Sequence, residues 1–309
     1  MADLRTSLCG HDLRNPLVLA SGIWGSSPHT LLRLGEAGAG AVTSKSCSLA
    51  PRAGHRNPTV LQWQAGLINA VGLSNPGARA ERDDLLLAKA DLARLGVPLI
   101  ASVFGATAGD YAACVGIIAD AHPDLVELNI SCPNVADEFG RPFSANPASA
   151  AAVTTAAREG YHGSLLVKLS PNVADIASVA RAVADAGADG ITAVNTLGPG
   201  MLIDVRARTL ILTNRVGGIS GPALFPIALR CVHDIARAVS IPIIGTGGVS
   251  SGEDALAMVM AGATAVGIGS ALSAHGDQTF QRITREMTSI MQQEGIRDLD
   301  EIRGCIHDA

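Results

Sequence analysis

Eight short runs of apolar and β-branched residues recur along this chain of 309 residues, each followed by a stretch with helical spacing. The runs cover 16–22, 41–45, 98–103, 125–130, 165–170, 190–195, 242–245 and 265–269. The helical stretches cover 31–37, 78–95, 110–121, 148–159, 175–186, 222–239, 252–261 and 278–294. A strand that is apolar on both sides must be covered on both faces, and a helix between two strands returns the chain for parallel pairing. Eight such units predict a closed (β/α)8 TIM barrel. A doubly wound open sheet is the alternative, but its glycine fingerprint would follow the first strand. Here the glycine-rich turns follow the seventh and eighth runs, at Gly247 and Gly248 and at Gly269. No linker interrupts the pattern, so 1–309 reads as one domain.

Ahead of the barrel, residues 4–8 and 11–13 flank Cys9 and Gly10 as a small hairpin, expected to close the barrel's lower end. Long loops are expected after strands 2, 4 and 6, over 46–77, 131–146 and 196–221. Such lengths in a compact domain usually serve function, and the second is a candidate lid. With two Trp, two Tyr and five Phe, the core has to be mostly aliphatic.

Several function classes fall away. A net charge of -5 with no basic run argues against a nucleic-acid surface. No segment reaches 18 uninterrupted apolar residues, and the first residues lack a signal-peptide core, so no membrane association and a cytoplasmic location are expected. The six cysteines are scattered without a C-x-x-C pair, which fits reduced thiols. The eight histidines show no H-x-x-x-H or H-E-x-x-H spacing, so no metal site is expected.

In a barrel of this kind the chemistry sits at the C-terminal ends of the strands. The stretch 127–134, Glu-Leu-Asn-Ile-Ser-Cys-Pro-Asn, is a strand stopped by proline, with a thiol and two amides at the stop. Alone, Cys132 would be a small buried hydrophobe. The other strand ends add Ser21, Lys45, Lys168, Asn195 and Thr196, and two lysines, three asparagines and a thiol together exceed what packing needs. A thiol can act as acid or base near neutral pH, and asparagines offer donors and acceptors to a planar ligand. Bare backbone after strands seven and eight suits a phosphate, and Gly217 to Pro222 ahead of a helix could add donors. A phosphorylated cofactor with two lysines and a thiol suggests a flavin, whose reduced ring a cation would stabilise. A Schiff-base aldolase using Lys168 is a rival, as is a flavin-binding barrel without turnover.

At these residues the chain resembles the dihydroorotate dehydrogenases, and among them the catalytic subunit of the NAD-linked class. The resemblance is carried by 15–22, Lys45, 66–77, 127–134, 167–173, Asn195 and Thr196, 217–222 and 243–249. It implies FMN as cofactor and dihydroorotate, oxidised to orotate in pyrimidine synthesis, as substrate. Cys132 matches the base that removes the C5 proton while hydride passes from C6 to the flavin. Asn69, Gly72, Leu73, Asn129, Asn134, Asn195 and Thr196, with Lys45, match positions around the substrate ring. Ala20, Ser21, Lys45, Ser46, Asn129, Lys168, Val194, Gly221, Gly247, Gly248, Gly269 and Ser270 match flavin contacts. The start at the hairpin and the cysteine lead us away from the quinone-linked class. The resemblance further implies a homodimer and a heterotetramer with an electron-transfer subunit holding FAD and an iron–sulfur cluster. The fumarate-linked class and a flavin enzyme acting on another pyrimidine are the nearer alternatives. Ile23, Trp24 and Gly25, the segment 61–64 and Val71 depart from the family's usual pattern.

Overall fold

The computed structural model describes residues 2–131 and 142–307. Strands β1 (Thr6–Leu8) and β2 (His11–Leu13) pair antiparallel about Cys9 and Gly10, both with positive φ, as a two-residue hairpin turn requires. Eight parallel strands then close a barrel: β3 (Leu17–Leu19), β4 (Ala41–Thr43), β7 (Leu99–Val103), β8 (Leu125–Asn129), β9 (Ser164–Leu169), β10 (Gly190–Ala193), β15 (Ile243–Thr246) and β16 (Ala265–Ile268). Each pairs with its neighbour in the series, and β16 closes onto β3. The expected eight-stranded barrel is therefore the fold.

The barrel interior changes character along its axis. Its lower layer is apolar: Val18, Ala41, Ile100, Leu125, Leu166, Ile244 and Ala265 pack with Leu8 and Leu13 of the hairpin, which plugs that end. Side chains alternate along a strand, so the residues two positions on share the inward face. Besides Ala20 and Gly267, those are the polar residues Thr43, Ser102, Glu127, Lys168 and Thr246, all buried. A polar layer thus lies directly below the strand ends.

Helices cover the outside, and their starts follow local chemistry. Thr107 and Ser251 form reciprocal capping boxes with Asp110 and Asp254. The first helix, Pro28–Glu36, begins three residues before the expected start, because Ser27 caps it and Pro28 fills its first turn. The expected helix 222–239 divides into a 3-10 turn, Pro222–Leu224, and a helix, Phe225–Ala236. A short helix, Ala271–His275, precedes the last one, Gln278–Gln293.

Two of the three long loops are not irregular. Strands β5 (Val60–Trp63) and β6 (Gly66–Asn69) from the first join β11 (Leu197–Gly200) and β14 (Gly217–Ser220) from the third in one antiparallel sheet, ordered β11-β14-β6-β5. The third loop also holds a small ribbon of β12 (Ile203–Asp204) and β13 (Thr209–Leu210). Gly217 to Ser220, read from sequence as a turn, is the strand that joins the two excursions, with Gly218 opposite Asn69. The second loop contributes a 3-10 turn, Phe143–Ala145. Cys9, Cys47, Cys114, Cys231 and Cys305 are free thiols, and Cys47 and Cys114 meet at 3.9 Å between sulfurs. Contact with Cys114 and burial push the Cys47 thiol well up.

Candidate active site

A cavity of about 1120 Å³, counted out to open solvent, sits at the C-terminal ends of the barrel strands. Sixteen expected site residues line it together. They are Ala20, Ser21, Lys45, Ser46, Asn69, Gly72, Leu73, Asn129, Lys168, Val194, Asn195, Thr196, Gly247, Gly248, Gly269 and Ser270. Gly221 instead lines the adjoining groove, with Gly248, Ser270 and Trp63. Cys132 and Asn134 lie outside the described residues.

One side of the cavity is a rigid amide and hydroxyl network. The Asn129 side-chain amide donates to Ser46 Oγ at 3.0 Å, and its oxygen accepts from Ser131 at 3.2 Å and from Asn195 Nδ2 at 3.2 Å. Asn195 Nδ2 also donates to Ser131 Oγ at 2.9 Å, and its oxygen accepts from the Thr196 amide at 2.8 Å. Tyr111 anchors the Asn129 carbonyl from behind, at 2.8 Å. Ser46 links onward to Ser102 at 2.8 Å and to Ser21 at 3.2 Å. These contacts fix each amide's orientation, so the polar groups facing the cavity are preorganised.

The opposite rim comes from the antiparallel sheet. Register places Asn69 at the end of β6 between Val60 and Gly218. The turn after it carries Gly72 and Leu73 with φ of 76° and 56°, and a left-handed leucine costs about 1–2 kcal/mol. The first excursion is therefore held in a specific shape over the barrel mouth.

Sequence reasoning missed two residues of consequence. Thr246 lines the cavity, and its hydroxyl is buried without a hydrogen-bond partner among the described residues. Glu127, only 2% exposed, accepts from Ser102 at 3.0 Å and from Thr192 at 2.8 Å in the polar layer below. The available signal was position: both lie at inward-alternating places near strand ends. Glu81 is buried beneath the Lys45 strand end, and burial together with Asp84 pushes its carboxyl up to about 7, against the pull of Ser44 and Lys45.

Residues 3–291 match the dihydroorotate dehydrogenase family. The chain belongs to that family. Relatives named dihydroorotate dehydrogenase B (NAD(+)), catalytic subunit, are similar over their full length. The one from Methanothermobacter thermautotrophicus is 43% identical over 305 residues, covering 99% of each chain. That from Methanocaldococcus jannaschii is 41% identical over 305 residues, covering 99% of this chain and 98% of its own. That from Thermococcus kodakarensis is 39% identical over 304 residues, covering 98% of each.

Dihydroorotate dehydrogenases are flavin-dependent, and the cavity suits such a cofactor on its own chemistry. The orphaned Thr246 hydroxyl calls for a polar partner inside the cavity, since an unsatisfied buried hydroxyl costs about 1–3 kcal/mol. Gly247, Gly248, Gly267 and Gly269 leave one wall without side chains. Gly248 needs glycine in any case, because φ is 76° and a Cβ would meet Phe225 N and the Gly221 carbonyl. Lys168, a residue only 5% exposed, brings an ammonium to the cavity lining. Among the described residues no group of three or more His, Cys, Asp or Glu is placed to hold a metal ion. No helix among them is long and apolar enough to cross a membrane.

Proposed function

We propose that the chain is an FMN-dependent dihydroorotate dehydrogenase, the catalytic subunit of an NAD-linked enzyme. The convergence of the Asn129, Asn195 and Asn69 amides with Lys45 and Lys168 on one cavity carries this reading. The full-length similarity to three NAD-linked catalytic subunits supports the class and a partner subunit. Homodimeric assembly, a second subunit with FAD and an iron–sulfur cluster, and a cytoplasmic setting come with that class.

A bound flavin would supply the hydride acceptor. The chain supplies the rest. Ser21, Ser46, Lys168, Val194, Thr246 and the bare backbone at Gly247, Gly248 and Gly269 would hold the cofactor. Lys168 would offer a cation to negative charge developing on the ring. The asparagine amides would orient the planar substrate through paired donors and acceptors. Lys45 would answer the substrate carboxylate. Cys132, next in sequence to Ser131 of this network, would take the C5 proton.

The test is the visible spectrum of the purified chain without oxygen, before and after dihydroorotate. Flavin bands that bleach are the expected result. A yellow protein indifferent to dihydroorotate would exclude this substrate while keeping the flavin barrel. A colourless chain that takes up no added FMN would overturn the proposal and return Lys168 to Schiff-base chemistry.

A further inference from the structure

Among the described residues, the buried Lys, Arg, Asp and Glu side chains are Glu81, Glu127 and Lys168. Glu81 lies outside the barrel wall, on the inner face of helix Ala78–Arg94. The barrel interior therefore holds one buried carboxylate and one buried ammonium. Carboxylates and ammoniums are almost never fully buried unless compensated.

Strand register brings these two together. On β9, Lys168 stands opposite Asn129 of β8 on one side and Thr192 of β10 on the other. Glu127, two residues before Asn129, reaches Thr192 Oγ1 at 2.8 Å. That bond joins β8 to β10 across the inner side of β9, the strand that carries Lys168. Its other oxygen accepts from Ser102 at 3.0 Å. No cation lies within 4.0 Å of it among the described residues, so any balance between the two charges acts beyond ion-pair distance. Coulomb attraction at such range is weakly screened where water is excluded.

We propose that Glu127 is the positioning residue and counter-charge for Lys168, and sets how strongly that ammonium stabilises negative charge in the cavity above. The effect on the cavity rests on the flavin reading; the charge pair does not. Glutamine at 127 keeps the shape and can still bond both hydroxyls, but it removes the charge. The full chain as purified, with and without added FMN, is unfolded in denaturant as wild type, Glu127→Gln, Lys168→Met and the double variant. The expected folded-to-unfolded ratio of the double variant exceeds the product of the single effects at least tenfold. Coupling below tenfold overturns the proposal. Should a single variant fail to fold, recovery of folded chain in the double variant supports the pair, and its absence overturns it.

A second readout separates charge from packing. In flavin-loaded chain, Glu127→Gln should shift the flavin midpoint potential upward by a tenfold change in equilibrium, about 30 mV for two electrons. An unchanged or lowered potential overturns the role in the cavity. If the chain takes up no FMN, the functional reading fails, while the unfolding cycle still decides the pair.

Discussion

Glu81 illustrates how one buried side chain can set the pH response of this fold. Its pKa stands near 7 in the folded chain against 4.5 when free, with burial the largest cause and Asp84 next. A carboxyl raised in this way contributes stability fully below pH 4.5 and loses it as pH rises through 7. Glu81→Gln should therefore match wild type near pH 4 and be more stable at pH 8, by up to about 3 kcal/mol. Urea unfolding across that range checks it, and a difference that does not grow with pH would remove Glu81 from this role. Cys132 carries the other prediction at this scale. Cys132→Ser should keep the flavin bound and slow its reduction by dihydroorotate on the order of a hundredfold or more, as stopped-flow absorbance would read. Unimpaired reduction would take the thiol out of proton transfer. Serine is a far weaker base at neutral pH, yet it conserves shape.

The antiparallel sheet over the barrel mouth is the element that turns strand ends into a cavity. It delivers Asn69, Val60 and Leu67 to the cavity lining from residues far from the barrel strands in sequence. Gly66 is its tightest point: φ is 148°, and a methyl group there would run into the Ser220 carbonyl. Gly66→Ala should cost about 1–3 kcal/mol from overpacking alone and part β6 from β14. Because Asn69 rides on that pairing, KM for dihydroorotate should rise more than the melting temperature loss explains. Steady-state kinetics at a temperature where the variant is fully folded separates the two. Helix starts were legible to within one residue where Asn146 and Asp175 cap them through side-chain bonds to the backbone, whereas the start capped by Ser27 was expected three residues late. The sheet was not legible, because its partners meet at separations such as 69 to 218 and its strands are short and glycine-rich.

At the scale of the molecule, the barrel is divided between stability at one end and chemistry at the other. Leu8 and Leu13 from the hairpin fill the lower interior, both essentially inaccessible to solvent. Leu8→Ala should lower unfolding free energy by about 2–5 kcal/mol, through lost burial and a residual cavity. Flavin reduction in the folded variant should remain at the wild-type rate, since the polar layer intervenes between plug and cavity. A rate that falls with stability would show that the two ends are coupled. The aliphatic wall suits this arrangement, because small branched residues fill the lower layer and leave the upper one to Ser102, Glu127, Thr192 and Lys168.

The eight-fold alternation of apolar strands and helices determined the barrel by itself, because each unit's burial pattern is local and its parallel pairing follows from the intervening helix. Given the barrel, the strand-end rule located Lys45, Asn129, Lys168 and Asn195 before any coordinate was needed. Tertiary structure alone decided the rest. It turned two loops into one sheet, moved Gly221 to the adjoining groove, and brought Glu127, Thr192 and Lys168 into one buried layer. The reason is physical: alternation along a strand tells which face a residue takes, whereas contact between faces depends on register across strands, which no single segment encodes.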